Sequence, residues 1–516
     1  MSYRRLLLSM AALLSLLSSG SGAQDHEAAV RHIAQSIESY GGLATIRALP
    51  ALRIHGRGTA DHGAIAQGVS PDRVATVPID EWLTIDRAAE RVSHEYRMAR
   101  SDGSLRWRRF SYEGNDRVVL QFGSQFVSRR PDPTAPRIRR ELMRAVPQLL
   151  LLEAQENPRA LRAVGDTVIN GRRHQVIAYT PPDRTTPLLL SIDAESRLLT
   201  AVRYVADMPN LPGAHVELIY RRHGARPRLG PFPSGYDLRI NGRLMQAMAY
   251  ADVSTDARQV MLGFAIPDAL TAQSAPPGSI LEPAPGVFVV HALDGFTSMF
   301  VEMRDFVVVI EAPAHGYVEM SRLPADALPR ADSLGSVILR RIRERIPRKP
   351  IRYITISHYH NDHSGGLGAF AEESLTVLTT PDTRDYVRRI YGIPAAAVQD
   401  RQVITDGQRT IEVLRVGANL HTDDALVVYL PQEGILYQGD QFYFAGDPGF
   451  PPRDRLLVMQ EFARWVDQRR LRVERIYGTH MTGFAGRRHL DDVLQLPSTW
   501  ALRADTTSSA TRSRSH

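Results

Sequence analysis

Cysteine is absent from this chain, lysine occurs once, at Lys349, and no apolar run is long enough to span a membrane. Each gap closes off a class of answer. Without cysteine there is no disulfide, no thiolate metal ligand and no lipid-modified cysteine near the N-terminus. With a single lysine, the formal net charge of +7 rests on arginines scattered among 56 acidic residues. No lysine-rich tract or RNA-binding aromatic signature accompanies it, so nucleic acid is not an expected partner; compositional bias accounts for the basicity. The longest apolar run, residues 6–17, falls short of the ~20 residues a spanning helix needs. It follows Arg4 and Arg5 and precedes the small residues Ser21, Gly22 and Ala23. That layout predicts a secretory signal peptide over 1–23 and an exported, periplasmic protein with no transmembrane segment once the leader is removed.

What is present points to two folded domains, because 516 residues exceed what one ordinary core holds. Residues 24–273 read as a mainly antiparallel β (α+β) domain. A helix carrying Val30, Ile33, Ile37 and Tyr40 on one face stops at Gly41-Gly42. Asn170-Gly171 and Asn241-Gly242 sit between strand-like runs as hairpin turns, and a further turn is expected near Asp193–Ser196. One helical interruption, "RRELMRAVPQLLLLEAQ", lies in the middle. This order faintly resembles the periplasmic lipoprotein-carrier fold, an open half-barrel that holds acyl chains, so a lipid or a protein is a candidate ligand of the domain. The Pro/Gly-rich stretch 274–286 reads as a linker or entry loop. Short apolar strands then alternate with helices over 274–500, the pattern of an α/β domain. The tail, 501–516, lacks apolar content and reads as disordered.

The chemistry gathers in "TISHYHNDHSGG", where His358, His360, Asp362 and His363 fall within six positions directly after a buried strand. Neutral imidazoles and a carboxylate are ligands that suit zinc. Remote partners are required, and three occur at strand ends: His421, Asp440 and His480. Taken singly, each has a plain reading as a half-buried histidine or a turn aspartate. Tyr359, Asp423 and Asp424 are candidates to fix imidazole tautomers or touch substrate, with surface or capping roles as the alternative. Phe442, Tyr443 and Phe444, just after Asp440, either wall a pocket or pack between helix and sheet.

The pattern His-x-His-x-Asp-His followed by His, Asp and His resembles the metallo-β-lactamase superfamily of hydrolases over roughly residues 280–490. The resemblance implies an αβ/βα sandwich with metals at one sheet edge. It implies that His358, His360 and His421 hold one metal, that Asp362, His363 and His480 hold a second, and that Asp440 bridges them. Glu311, in "VVVIEAP", stands where many members carry an aspartate. The implied activity is hydrolysis of a carboxylic ester, thioester or lactone by a hydroxide bridging two Zn2+ ions, with Fe or Mn as substitutes and Asp362 as the residue that orients it and moves a proton. The absence of cysteine excludes the β-lactamase subclasses with a cysteine ligand, and a true β-lactamase is not favoured. The alternatives are an iron-dependent sulfur dioxygenase, or a lipid- or partner-binding protein with an accessory metal domain.

Overall fold

The computed structural model describes residues 22–61, 76–99, 105–121, 126–132, 135–208, 211–267, 271–272, 278–293, 295–314, 333–444, 446, 450–452 and 455–497. Most of the predicted leader, the tail and residues 315–332 lie outside the described residues. Two compact units emerge, their main exchange of chain falling at Thr271/Ala272. Among the described residues no helix is long and apolar enough to cross a membrane.

The N-terminal unit is built on one large antiparallel sheet. Its first long strand, Ala51–Asp61, pairs with both Thr76–Asp86 and the last long strand, Arg243–Ser254. The Asn-Gly pairs make the expected turns: Asn170 and Gly171 have φ of 50° and 79°, Asn241 and Gly242 of 49° and 80°, the left-handed pair a type I′ turn demands. At the third turn Asp193 Oδ1 accepts the backbone N–H of Glu195 at 3.1 Å and of Ser196 at 2.8 Å. The helix Gly22–Ser39 buries Ala29, Ile33 and Ile37 in the core of this unit. The central helical stretch, read as one interruption, is two helices, Ala135–Arg144 and Pro147–Glu156. Pro147 explains the break: it forces Val146 out of the helical region, to φ −99° and ψ 116°, and then starts the next helix at its first position.

The C-terminal unit is an αβ/βα sandwich. One sheet orders Ser279–Ala284, Val287–Leu293, Phe296–Glu302, Val307–Ile310, Ile351–Thr355, Thr376–Thr379 and Ala395–Ala397; the other orders Arg401–Thr405, Thr410–Arg415, Leu426–Leu430, Ile435–Gln438 and Arg475–Gly478. Residues of both sheets, among them Val289, Val308, Val413 and Val428, share one buried core. Helices Leu456–Gln468 and Arg487–Gln495 cover the outer face of the second sheet through Phe462, Val466 and Leu490. The stretch read as a linker is part of this architecture. Ser279–Ala284 pairs with Val287–Leu293 around a turn at Pro285-Gly286, since an edge strand tolerates proline.

Candidate metal centre

Three strands of the C-terminal unit deliver the cluster. Ile351–Thr355 runs into the loop carrying His358 and His360, and one helical turn, Asn361–Ser364, places Asp362 and His363. Ile435–Gln438 ends just before Asp440, and Arg475–Gly478 just before His480; these last two strands lie parallel and adjacent, so their ends open on the same edge. His421 comes from the loop before Leu426–Leu430, where Asn419 Oδ1 accepts the backbone N–H of His421 at 2.8 Å and of Thr422 at 3.0 Å.

Glycine permits this convergence by letting backbone come close rather than by adopting special dihedrals. A Cβ on Gly439 would stand 2.5 Å from Ser357 Oγ, and one on Gly365 would stand 2.1 Å from Asn361 Oδ1. Gly365 itself has ordinary helical dihedrals, φ −66°, so what it supplies is room for close packing.

The ligand atoms fall into two groups, His358 with His360 and His421, and Asp362 with His363, Asp440 and His480, the atoms of each group within 4.8 Å of one another. In the first, His358 Nε2 lies 2.7 Å and His421 Nε2 3.2 Å from His360 Nδ1. In the second, His480 Nε2 lies 2.8 Å from Asp362 Oδ2 and 3.1 Å from Asp440 Oδ1, and His363 Nε2 lies 3.2 Å from Asp440 Oδ1. The other oxygen of Asp440, Oδ2, faces His421 Nε2 at 3.1 Å. One carboxylate therefore presents one oxygen to each group.

These donors fit divalent cations on their own chemistry. A tetrahedral site with bonds of about 2.0–2.1 Å separates its ligand atoms by roughly 3.3 Å, close to the spacings here. Asp362 Oδ1, His363 Nε2 and Asp440 Oδ1 are buried atoms without a hydrogen-bonded partner, which is costly unless something else satisfies them.

Electrostatics separates the two groups. Burial, reinforced by the neighbouring imidazoles, holds His358 and His360 well below the ordinary histidine range, and burial lowers His421. These rings are neutral and ready to donate lone pairs. In the second group burial opposes charging too, but Asp362, Asp440 and Glu311 outweigh it and hold His363 well above its ordinary value. Burial is likewise overcome at His480 by Asp440 and Asp362. Asp440 stays well below the usual carboxylate range against its burial, because His480, His363 and His421 surround it. A bound cation would supply the positive charge that protons supply here.

The supporting residues sort themselves by contact. Glu311 Oε2 lies 2.6 Å from His363 Nδ1, and Oε1 accepts the backbone N–H of Ser357 at 2.7 Å. Glu311 is 1% exposed and has φ 66°, a left-handed conformation held by its surroundings; such strain concentrates at functional sites. Ser298 Oγ donates to the carbonyl of Glu311 at 2.8 Å. Tyr359 sets its ring edge-on to His360, centroids 4.5 Å apart. Tyr443 stacks near His480 at 6.3 Å, with the Arg455 guanidinium 4.5 Å from its centroid. Phe442 and Phe444 do not wall the site: both belong to the core beneath helix Leu456–Gln468. Asp424 turns to Arg415, Nε to Oδ1 2.9 Å, and so fixes no imidazole; Asp423 is half-buried on the same loop, outside both donor groups. Sequence reasoning missed Ser357, whose Oγ lies 2.9 Å from His358 Nδ1, and Phe296, edge-on to His480 at 5.2 Å. The position of Ser357, next to a ligand histidine, was the signal available for the first. Nothing local marked Phe296, which lies 184 residues from His480 along the chain.

Residues 332–480 match the family model described as the metallo-beta-lactamase superfamily. Among solved structures, the chain is similar to a metallo-beta-lactamase from Pontibacter korlensis (18% identity, 42% of this chain and 96% of that one, TM-score 0.33). It is similar to the metallo-beta-lactamase FIM-1 from Pseudomonas aeruginosa in its mono-zinc form (19% identity, 45% and 99%, TM-score 0.33) and to a metallo beta lactamase from Hirschia baltica (16% identity, 42% and 97%, TM-score 0.30). The metallo-beta-lactamase superfamily is thus matched by the C-terminal part of this chain, over residues 332–480, and a separate antiparallel β domain precedes it in sequence.

Proposed function

We propose that the protein is an exported dinuclear zinc hydrolase acting on a carboxylic ester, thioester or lactone. The observation that carries this reading is Asp440, whose Oδ2 faces His421 and whose Oδ1 faces His363 and His480. A carboxylate with one oxygen in each donor group suits two cations better than one. When bound, two such cations lower the pKa of a shared water toward neutrality and polarise the carbonyl of the substrate.

The chain's own residues do the rest. His358, His360 and His421 offer neutral nitrogens to one cation; Asp362, His363 and His480 serve the other. Glu311 holds the Nδ1 side of His363, which turns Nε2 toward the centre and fixes the tautomer. Asp362 has Oδ2 at 2.8 Å from His480 Nε2 and Oδ1 without a hydrogen-bonded partner. That free oxygen can orient an attacking water and take its proton, then return the proton to the leaving alkoxide or thiolate. Tyr443, beside His480, flanks the approach of the substrate.

The test is a panel of aryl esters, thioesters and lactones offered to the purified mature protein, its chelator-treated form and His360→Ala. Hydrolysis lost on chelation, restored by Zn2+ and absent in His360→Ala is expected. Hydrolysis that survives His360→Ala would contradict the mechanism, and oxygen uptake with a persulfide substrate in place of hydrolysis would identify the iron-dependent dioxygenase.

A further inference from the structure

The N-terminal unit contains a second built site that the metal chemistry does not use. A cavity of about 70 Å3 lies between the helix pair Ala135–Arg144 and Pro147–Glu156 and the central strands of the sheet. Each enclosed water needs about 10–15 Å3 of such space, so the cavity has room for roughly five to seven. A methylene group is about the size of a water, which makes this the volume of a chain of roughly six carbons. Its walls are mainly apolar, with Leu83, Val202, Leu238 and Met248 among them. Apolar walls give a water little to bind and a hydrocarbon chain a favourable place to be.

Four charged side chains interrupt that wall, Glu81, Glu141, Arg144 and Arg184, and of these Arg184 alone keeps buried nitrogens without a hydrogen-bonded partner. Arg184 lines the cavity, its side chain only 1% exposed. Its Nη1 reaches Glu141 at 3.2 Å, a loose contact, and its guanidinium stacks 4.7 Å from the Tyr204 ring centroid. Nε and Nη2 are buried and have no hydrogen-bonded partner. Together these two nitrogens form the edge of the guanidinium whose parallel N–H groups match the two oxygens of a carboxyl group. A buried arginine edge left open in this way is expensive unless a ligand completes it. Glu141 does not complete it, being drawn to Arg144 at 2.8 Å.

We propose that this cavity binds the acyl group of a medium-length carboxylic acid or of its ester. The carboxyl oxygens accept from Arg184 Nε–H and Nη2–H, and the chain lies against Leu83, Val202 and Met248. The recognised chemistry is an acyl oxygen at the end of a hydrocarbon chain. A free acid and an esterified acyl chain share it.

The experiment is calorimetric titration of the full mature protein with sodium octanoate and, separately, with methyl octanoate, alongside a series of chain lengths. Saturable binding of one molecule per chain is expected, with affinity levelling off near six to eight carbons. Arg184→Lys keeps the charge but loses the fork, and should weaken octanoate at least tenfold; Val202→Phe fills the cavity and should weaken both probes. Thermal melts and circular dichroism confirm that each variant is folded. Binding of octanoate alone identifies the free acid as the ligand class, and comparable binding of the methyl ester identifies an acyl ester. Absence of saturable binding would overturn the proposal. So would affinity that climbs steadily with chain length and ignores both substitutions, since that describes partition onto a surface.

Discussion

Buried charge is handled in opposite ways at two places in this protein, one in each unit. In the N-terminal unit Glu95 and Arg109, each side chain 6% exposed, close on one another at 2.8 Å. The remaining groups find partners as well: Trp107 Nε1 donates to Glu95 Oε1 at 2.8 Å, and Arg109 Nη1 to the carbonyl of Ala265 at 2.6 Å. In the C-terminal unit Asp362 and Asp440 are just as buried, yet among the described residues no arginine or lysine pairs with them; histidines do, and three ligand atoms have no hydrogen-bonded partner. A closed ion pair serves the fold, whereas an under-satisfied cluster of carboxylates and imidazoles is a site prepared for cations. The difference can be tested by breaking each kind in turn.

The largest effect is expected at the shared carboxylate. Asp440→Ala removes an oxygen from each donor group, so metal content should fall to at most one cation per chain and hydrolysis by about 100-fold or more; metal analysis and steady-state rates check this. The fold should survive. Arg109→Met does the reverse: it leaves Glu95 buried and unpaired, which should lower the stability of the N-terminal unit by about 3–5 kcal/mol. Denaturant unfolding measures the loss, and metal content should not change. Adding Glu95→Gln to that variant should recover part of the loss.

Between the two extremes stands Glu311, a buried carboxylate that serves a ligand. Glu311→Gln keeps its shape but weakens its grip on His363 Nδ1, and should cost about 10–100-fold in affinity for the second cation, read by competition with a chromophoric chelator. The smallest effect is in the N-terminal unit at His223, whose Nε2 lies 2.9 Å from Tyr40 Oη. Burial brings His223 down from 6.5 to about 4. The unfolded chain therefore takes up its proton first as pH falls. The contribution of the neutral ring to stability is complete above about pH 6.5 and is lost progressively toward pH 4. His223→Gln should flatten the stability profile in that window, as followed by urea midpoints at several pH values.

Much of this could be read from residue order, for identifiable physical reasons. A Asn-Gly pair demands left-handed dihedrals wherever it falls, so the hairpins at Asn170 and Asn241 were legible. Strand periodicity revealed most of the elements of the C-terminal unit, and Asp440 and His480 stood just past strand ends as expected, whereas His421 lies in the loop between Thr410–Arg415 and Leu426–Leu430. Short or punctuated elements were harder. Ser279–Ala284 was hidden by the prolines within and around it, and Arg401–Thr405 by being exposed at every position but Ile404. Phe296 was missed because its contact with His480 spans 184 residues and left no local trace, whereas Ser357, next to His358, was simply overlooked; of the two readings of Asp424 the structure favours the one away from the imidazoles, since it pairs with Arg415 on the preceding strand. The open edge of Arg184 was equally silent, being defined by what does not approach it.

The account turns on two cations sharing Asp440. Elemental analysis of the purified mature protein after exposure to Zn2+, set beside the Asp440→Ala variant, tests it most directly. About two zinc atoms per chain in the native protein, falling to one or none in the variant, is the predicted result. A native protein that holds one metal or none, or a variant that still holds two, would contradict it.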